Sequence, residues 1–314
     1  MKTGYYLDVQ GTSDGFLFQK GMVGEYDPSF IGALYYYHYS THQVQLLDTA
    51  GPANGVVRDI RLVTVAGNYA AYIKSDNSLE GWEFWLVNLT NGKLTLLDSP
   101  KTTPSQQYPS NFAMDGQNVV WSSLIFQNGK AVSIMRIYNM AQNTTKTLFT
   151  DIVASPATIY LYRPAIYGSV ITYAKIPFGA QTTTSDTIWR MNIDGSGVQQ
   201  IATTQYANVN IAMDANYAAW DEDTGNQPIL DVYNLQTNSP VTLPSNMCNR
   251  PQLYKTLLTC IQWAQPSILV INLSTNAYSI IADPAVYTSL TQDRIIWSDD
   301  GENVVHWVMY PAGI

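Results

Sequence analysis

Residues 165–173 read Ala165-Ile166-Tyr167-Gly168-Ser169-Val170-Ile171-Thr172-Tyr173, and after a polar run the chain resumes as Ile188-Trp189-Arg190-Met191-Asn192-Ile193-Asp194-Gly195-Ser196-Gly197, with a return strand ending at Ile201. A short apolar segment, a tight Gly-Ser turn and an apolar strand closing on an aromatic come first. An alternating strand, a polar turn and another short strand follow, which is the signature of a hairpin. Four consecutive strands, A to D, form one unit.

The unit recurs along the chain, and a repeat of this size dictates the whole fold. Strand B, apolar and ending in an aromatic, appears at Phe16-Leu17-Phe18, Ala70-Ala71-Tyr72, Val119-Val120-Trp121, Ile171-Thr172-Tyr173, Ala218-Ala219-Trp220, Leu258-Thr259-Cys260 and Ile295-Ile296-Trp297, with Cys260 the one break in the aromatic column. The hairpin of strands C and D appears at residues 34–47, 84–97, 135–148, 188–201, 230–243 and 268–281. Asn stands before its turn at Asn88, Asn139, Asn192, Asn234 and Asn272, and His38 takes that place in the first copy. Strand A is legible at 62–66, 112–114, 165–167 and 211–213. Successive copies lie 37 to 54 residues apart, which suits propeller blades and not a sandwich or a solenoid of shorter units. The sequence therefore predicts one all-β domain over 1–314, a seven-bladed β-propeller of four-stranded antiparallel blades at about 4–50, 58–99, 109–150, 162–203, 208–244, 250–283 and 286–310. After Trp297 only strand C remains, at 304–310. Segment 5–9 is then expected to close the ring, either by pairing with the last blade or as the innermost strand of the first, which would remove an exposed edge. A three-stranded last blade is the alternative.

The stretch Asn192-Ile193-Asp194-Gly195-Ser196-Gly197 closely resembles the turn of TolB-like propeller repeats. Met213-Asp214-Ala215-Asn216 and Met114-Asp115-Gly116-Gln117 look like the Asp-Gly turn of the same repeat, and Pro109, Pro164 and Pro251 ahead of strand A fit it. The resemblance implies the fold. Proteins with this repeat include periplasmic interaction proteins, peptidase-associated propellers and oligogalacturonate lyases, the last dependent on a cluster of metal-binding histidines. This chain has only His38, His42 and His306, the first two beside a C–D turn, which argues against the lyase reading.

Charged residues are 13% of the chain, about half the usual share, and the net charge is −8. No basic run follows a phosphate backbone, so nucleic acid is excluded as an expected partner. No stretch approaches the length of a membrane span, and no signal peptide opens the chain as given. Low charge, high Tyr and Thr content and few thiols lean towards an extracytoplasmic or cell-surface setting. Cys248 and Cys260 read first as two buried thiols, with a disulfide across one hairpin as the rival. Composition leaves the oligomeric state open.

In a propeller the A–B and C–D turns lie on one face and the B–C and D–A connections on the other. The long connections here, 20–32, 48–60, 98–109, 122–130, 174–185 and 221–228, all belong to the second face, so the ligand site is expected there. Arg163 and Arg250 stand directly before Pro164 and Pro251, and Arg61 lies near the equivalent point of the second blade. Two or three guanidiniums near the mouth of the central channel would suit carboxylates or phosphates. Tyr108, Tyr162 and Trp82 are candidate ligand-stacking aromatics at the loop edges. Asp221, Asp223, Asp299 and Glu80 are the first suspects for paired catalytic carboxylates, and Asp221, Asp223, Asp300 and Glu302 for a calcium site, although neither acidic loop has an EF-hand spacing. The aromatic column reads as packing between blades and the Asn column as turn chemistry. No Gly-x-Ser-x-Gly, zinc helix, P-loop or dinucleotide fingerprint is present, and no cofactor is expected apart from the calcium candidate. The leading reading is a non-catalytic module binding a glycan, peptide or protein through the long-loop face. Its rivals are a carbohydrate-active lyase or hydrolase on the same face, and a structural subunit of a surface assembly.

Overall fold

The structure, a computed structural model, describes residues 5–21, 32–51, 59–76, 81–100, 109, 111–127, 130–153, 160–177, 185–206, 209–224, 227–245, 247–262, 267–281, 285, 287–298 and 305–310. Among the described residues there are strands, turns and bends but no helix. The strands form seven antiparallel sheets, each joined in sequence order, and the chain divides into two compact units, residues 1–108 with 286–309 and residues 109–285 with 310–314.

The first unit holds three sheets. One is β1 (Tyr5–Gly11), β2 (Gly15–Gly21), β3 (Ala33–His38) and β4 (Val44–Thr49); the next is β5 (Asp59–Ala66), β6 (Tyr69–Ser75), β7 (Trp82–Asn88) and β8 (Leu94–Asp98). The second unit holds four: β9 (Phe112–Met114), β10 (Asn118–Gln127), β11 (Lys130–Asn139) and β12 (Thr144–Val153); β13 (Tyr160–Tyr167), β14 (Val170–Pro177), β15 (Thr187–Asn192) and β16 (Gln199–Thr203); β17 (Asn210–Met213), β18 (Tyr217–Asp223), β19 (Pro228–Asn234) and β20 (Ser239–Val241); and β21 (Cys248–Tyr254), β22 (Leu257–Gln262), β23 (Ile268–Asn272) and β24 (Tyr278–Ile281). The seventh sheet, again in the first unit, is β25 (Tyr287–Leu290), β26 (Arg294–Ser298) and β27 (Val305–Met309). Six sheets thus have the expected four strands and the last has three among the described residues.

Burial changes in step across each sheet. The second strands are buried along nearly their whole length, as in β6, β18 and β22, because both of their faces are covered. Third strands alternate, as in β11 and β19, with apolar residues on the covered face. Fourth strands lie at the sheet edge and expose side chains such as Val44, Leu46, Tyr278 and Ile280. A strand covered on both faces reads as an unbroken apolar run, which is why the aromatic-ended motif is the most legible part of the repeat.

The aromatic column does pack between sheets. Tyr72 joins Leu17, Leu34 and Tyr36 of the first sheet to Ile60 and Val87 of the second. In the second unit Tyr173 sits with Val120, Met135 and Tyr162, and Trp220 with Ala174 and Ile188. Polar ties reinforce two of these seams. Lys74 Nζ lies 2.7 Å from Asp48 Oδ2, which also accepts the Tyr72 hydroxyl. In the same way Asp151 Oδ2 accepts the Tyr162 hydroxyl at 2.5 Å and has Lys175 Nζ at 3.5 Å.

The turns follow the expected chemistry. Asn88 Oδ1 accepts the Thr90 N–H, Asn234 Oδ1 those of Gln236 and Thr237, and Asn272 Oδ1 that of Ser274. Asp115 and Asp214 cap their A–B turns by accepting two backbone N–H groups each.

Segment Tyr5–Gly11 takes the second of the two expected places. It is the first strand of its own sheet, paired with β2, and no strand is exchanged with the seventh sheet among the described residues. It nevertheless lies against that sheet: Gly11 N donates to Ser289 Oγ at 2.8 Å, and a Cβ on Gly11 would stand 2.3 Å from Thr291 Cγ2. Only glycine permits that approach.

The buried-thiol expectation is corrected, because Cys248 and Cys260 form a disulfide with their Cα atoms 5.7 Å apart. A β-bulge between Asn249 and Gln252 makes this possible. It pairs Cys248 with Gln262, where the register on the turn side would have put residue 263, so Cys248 and Cys260 share one face of the sheet. A one-residue slip reverses the face of every side chain beyond it, and without the bulge the sulfurs would point apart. With the cysteines 12 positions apart in sequence, replacing both by serine is expected to lower stability by about 2 to 3 kcal/mol in urea unfolding, with the native fold retained. Unfolding curves identical to those of the parent would contradict that role.

Candidate functional site

Three first strands of the second unit bring polar groups together towards their loop ends. Arg163, on β13, donates from Nη1 to the Val209 carbonyl at 2.8 Å and to Asn210 Oδ1 at 3.5 Å. Asn210, which opens β17, donates its backbone N–H to Asp221 Oδ1 at 2.7 Å and its Nδ2 to Asp221 Oδ2 at 3.1 Å. Asp221 Oδ2 also accepts the backbone N–H of Arg250 at 2.7 Å. That contact needs the bulge in β21, where Arg250 adopts a φ of 55° and turns its amide towards the neighbouring sheet. The Arg250 side chain is exposed.

The electrostatics follow from this geometry. Burial holds the Asp221 carboxyl above the usual carboxylate range, opposed by the three N–H donors and by the charge of Arg163. Burial lowers the Arg163 guanidinium, opposed by Asp221 and Asp186. Among the described residues no carboxylate oxygen lies within 4.0 Å of Arg163. Its Nε and Nη2 groups are not engaged by any described residue.

Of the other candidates, Arg61 belongs to the first unit, where its Nε lies 4.0 Å from Asp59 Oδ2 and its strand carries a matching bulge with Leu62 at a φ of 53°. Trp82 and Tyr162 are corrected from surface aromatics to core residues, being 1% and 3% exposed. Trp82 fills the start of a third strand on its buried face, and Tyr162 packs edge-on to Phe149 and Tyr173 while its hydroxyl ties to Asp151. Asp223 is exposed at the end of β18. Tyr108, Glu80, Asp299, Asp300 and Glu302 lie outside the described residues.

The Asp221-Glu222-Asp223 run does not present itself as a cation cage. Its first two carboxyls face N–H donors: Asp221 accepts the three above, and Glu222 Oε2 accepts the backbone N–H groups of Gln205 at 2.8 Å and Tyr206 at 3.0 Å. Among the described residues no group of three His, Cys, Asp or Glu side chains is placed to hold a metal ion. Asp221 is also a poor general base here, because both oxygens are already acceptors.

Glu222 is a titratable group that sequence reasoning missed. It is 4% exposed, and burial, with hydrogen bonding to Asp231, pushes its carboxyl up to about 7 against the opposing pull of the two amides. The available signal is positional. Glu222 stands two residues beyond Trp220, as Lys74 and Lys175 stand two beyond Tyr72 and Tyr173, and this place in each second strand meets the preceding sheet or the loop leaving it.

No family profile and no curated protein matches the chain. Solved structures do. The β-propeller domain of the trilobed protease from Pyrococcus furiosus, described as having an open velcro topology, superposes with a TM-score of 0.67 at 6% identity over 95% of this chain and 93% of that one. An oligogalacturonate lyase in complex with manganese aligns over 99% of both chains, with a TM-score of 0.59 and 12% identity. A prolyl endopeptidase aligns over 98% of this chain, which spans 50% of its length, with a TM-score of 0.65 and 9% identity. At such identities the likeness establishes the fold, a seven-bladed β-propeller, and nothing finer.

The raised carboxyl of Glu222 makes stability depend on pH. The folded chain holds this proton up to about 7, whereas the unreacted reference is 4.5, so the contribution is complete below about 4.5 and is lost as pH rises towards 7. Glu222→Gln keeps an acceptor for the two amides and cannot ionise. The variant is expected to match the parent at pH 4 and to exceed it at pH 8 by on the order of 1 to 2 kcal/mol in urea unfolding. Parallel pH profiles for the two proteins would refute the assignment.

Proposed function

We propose that this chain is a non-catalytic binding module that holds a carboxylate-bearing ligand, an acidic glycan or peptide, through Arg163 and Arg250. The observation that carries this reading is the state of Arg163. It is a partly desolvated guanidinium, fixed through Nη1 by Val209 and Asn210, with no ion-pair partner among the described residues. A guanidinium anchored in this way keeps a planar donor fork for a carboxylate, and anchoring reduces the rotamer entropy lost on binding. Arg250 adds a second, exposed cation two strands away, on the other side of Asp221.

One neighbouring fold is compatible with this chemistry, being named for oligogalacturonate, a polymer of carboxylated sugars. The catalytic alternative is weaker, because three N–H donors already engage the Asp221 carboxylate, two of them on Oδ2. A disulfide persists in oxidising compartments, which supports an extracytoplasmic setting.

The test uses polygalacturonate and an acidic peptide as probes, with retention and product release scored on the same samples. Binding without products is expected, and Arg163→Ala/Arg250→Ala is expected to weaken it at least tenfold, about 1.4 kcal/mol or more, while the variant still unfolds cooperatively from a native β-sheet spectrum. The fold should survive, since Asp221 holds Arg250 by its backbone and not its side chain. Undiminished affinity in the double variant would remove both arginines from the site, and released products would make the protein an enzyme.

A further inference from the structure

A second recess lies at the opposite end of the same sheets. Between the β13–β16 and β17–β20 sheets, where their tight turns meet, a groove of about 520 Å3 opens. That volume falls within the roughly 300 to 1,000 Å3 typical of small-molecule sites. Arg163 is four residues back along β13 from Tyr167 at the groove's edge, roughly 13 Å at the rise of a strand, so the two recesses are separate.

The floor is apolar and soft, with Met191 and Met213 at its centre; Met213 is steadied by the Thr172 hydroxyl, 3.4 Å from its sulfur. Thioether side chains adapt to varied apolar shapes. Two polar groups of opposite character flank this floor. Arg190 is pinned through Nη1 to Asn238 Oδ1 at 3.0 Å, and no described residue engages its Nη2 or Nε. Asp214 is 2% exposed and spends Oδ1 on the backbone N–H groups of Asn216 and Tyr217, while Oδ2 meets no donor among the described residues. Asp214 Oδ2 has essentially no accessible surface, so this carboxyl shapes the turn beneath the groove and Arg190 is the polar group a ligand meets.

We propose that this groove binds the C-terminal residue of a short peptide whose last side chain is apolar. Such a residue carries, on one Cα, the two groups that the groove complements: a carboxylate for the fork of Arg190 and an apolar side chain for the apolar lining. A sugar would offer donors and acceptors but no comparable apolar group for the floor, and a free inorganic anion would leave the apolar lining uncovered. The site is independent of the arginines proposed above, lying on the face of the tight turns.

The experiment is calorimetric titration of the full chain with acetyl-Gly-Ala-Leu as the free acid and as its C-terminal amide. Saturable binding of the free acid with a Kd below about 1 mM is expected, at least tenfold tighter than the amide. Arg190→Ala should weaken the free acid at least tenfold. Ala215→Trp, at an exposed turn position on the groove wall, should abolish binding by filling it, with an unchanged unfolding midpoint confirming the fold. An excess of trigalacturonate should not displace the peptide, which separates this site from the proposed arginine site. The proposal is overturned if the free acid does not bind, if acid and amide bind equally, if trigalacturonate competes, or if binding survives in both variants.

Discussion

The second strand of each sheet is apolar on both faces, and everything else in the structure answers to that. One four-stranded sheet covers neither face of such a strand, so β18 is buried because the sheets on either side of it in the second unit stack against it, Ala218 and Trp220 meeting Ala174 and Ile188 on one face and Tyr217 and Ala219 meeting Leu258 and Cys260 on the other. Each sheet is therefore a partner to its neighbours before it is a structure of its own, and the stabilising contacts are those between sheets. The column aromatics Tyr72, Tyr173 and Trp220 are large side chains buried in such seams. Tyrosine hydroxyls add direction at two seams: Tyr72 of the column donates to Asp48, and Tyr162, a first-strand residue beside Tyr173, donates to Asp151. Burial and the adjacent carboxylates hold both phenols far above the usual range, so they remain donors at any ordinary pH.

This constraint explains which parts of the fold were legible. A strand covered on both faces is apolar over the run leading to its aromatic, and a tight turn needs Asn, Asp or Gly, so those two features recur in the sequence however far the rest drifts. The aromatic residues outside the column carry no such mark. Trp82 and Tyr162 stand where the sequence leaves strand and loop, and nothing in their identity says that β7 turns Trp82 inward or that Asp151 waits across the seam for Tyr162. The disulfide was hidden for a related reason. Cys248 and Cys260 face each other only through the bulge at Arg250, and a register shift of one residue leaves no trace in spacing.

Site residues were legible as chemistry but not as roles. Arg163, Arg250 and Asp221 do come together, yet Asp221 serves as an acceptor that orders its neighbours, and the more unusual acid is Glu222, one residue further on. Its meaning depends on what the loop after β16 brings to it, namely the amides of Gln205 and Tyr206. The position two beyond the aromatic column is filled by Lys74, Lys175 and Glu222 in turn, so its side chain is chosen by the partner across the seam and not by the repeat. The described recess lies where tight turns of adjacent sheets meet, at the opposite end of β13 from Arg163.

The account stands on the claim that polar as well as apolar contacts couple neighbouring sheets. The most direct measurement is a double-mutant cycle on Asp48→Asn and Lys74→Met, which meet across the seam of the first unit with both side chains largely buried. Removing either partner alone is expected to cost about 3 kcal/mol in urea unfolding, and the pair to cost at least 1 kcal/mol less than the sum, since each single change leaves the other group buried without its counter-charge. Additive losses, or single losses below about 0.5 kcal/mol, would contradict the claim and leave the seam to apolar packing alone.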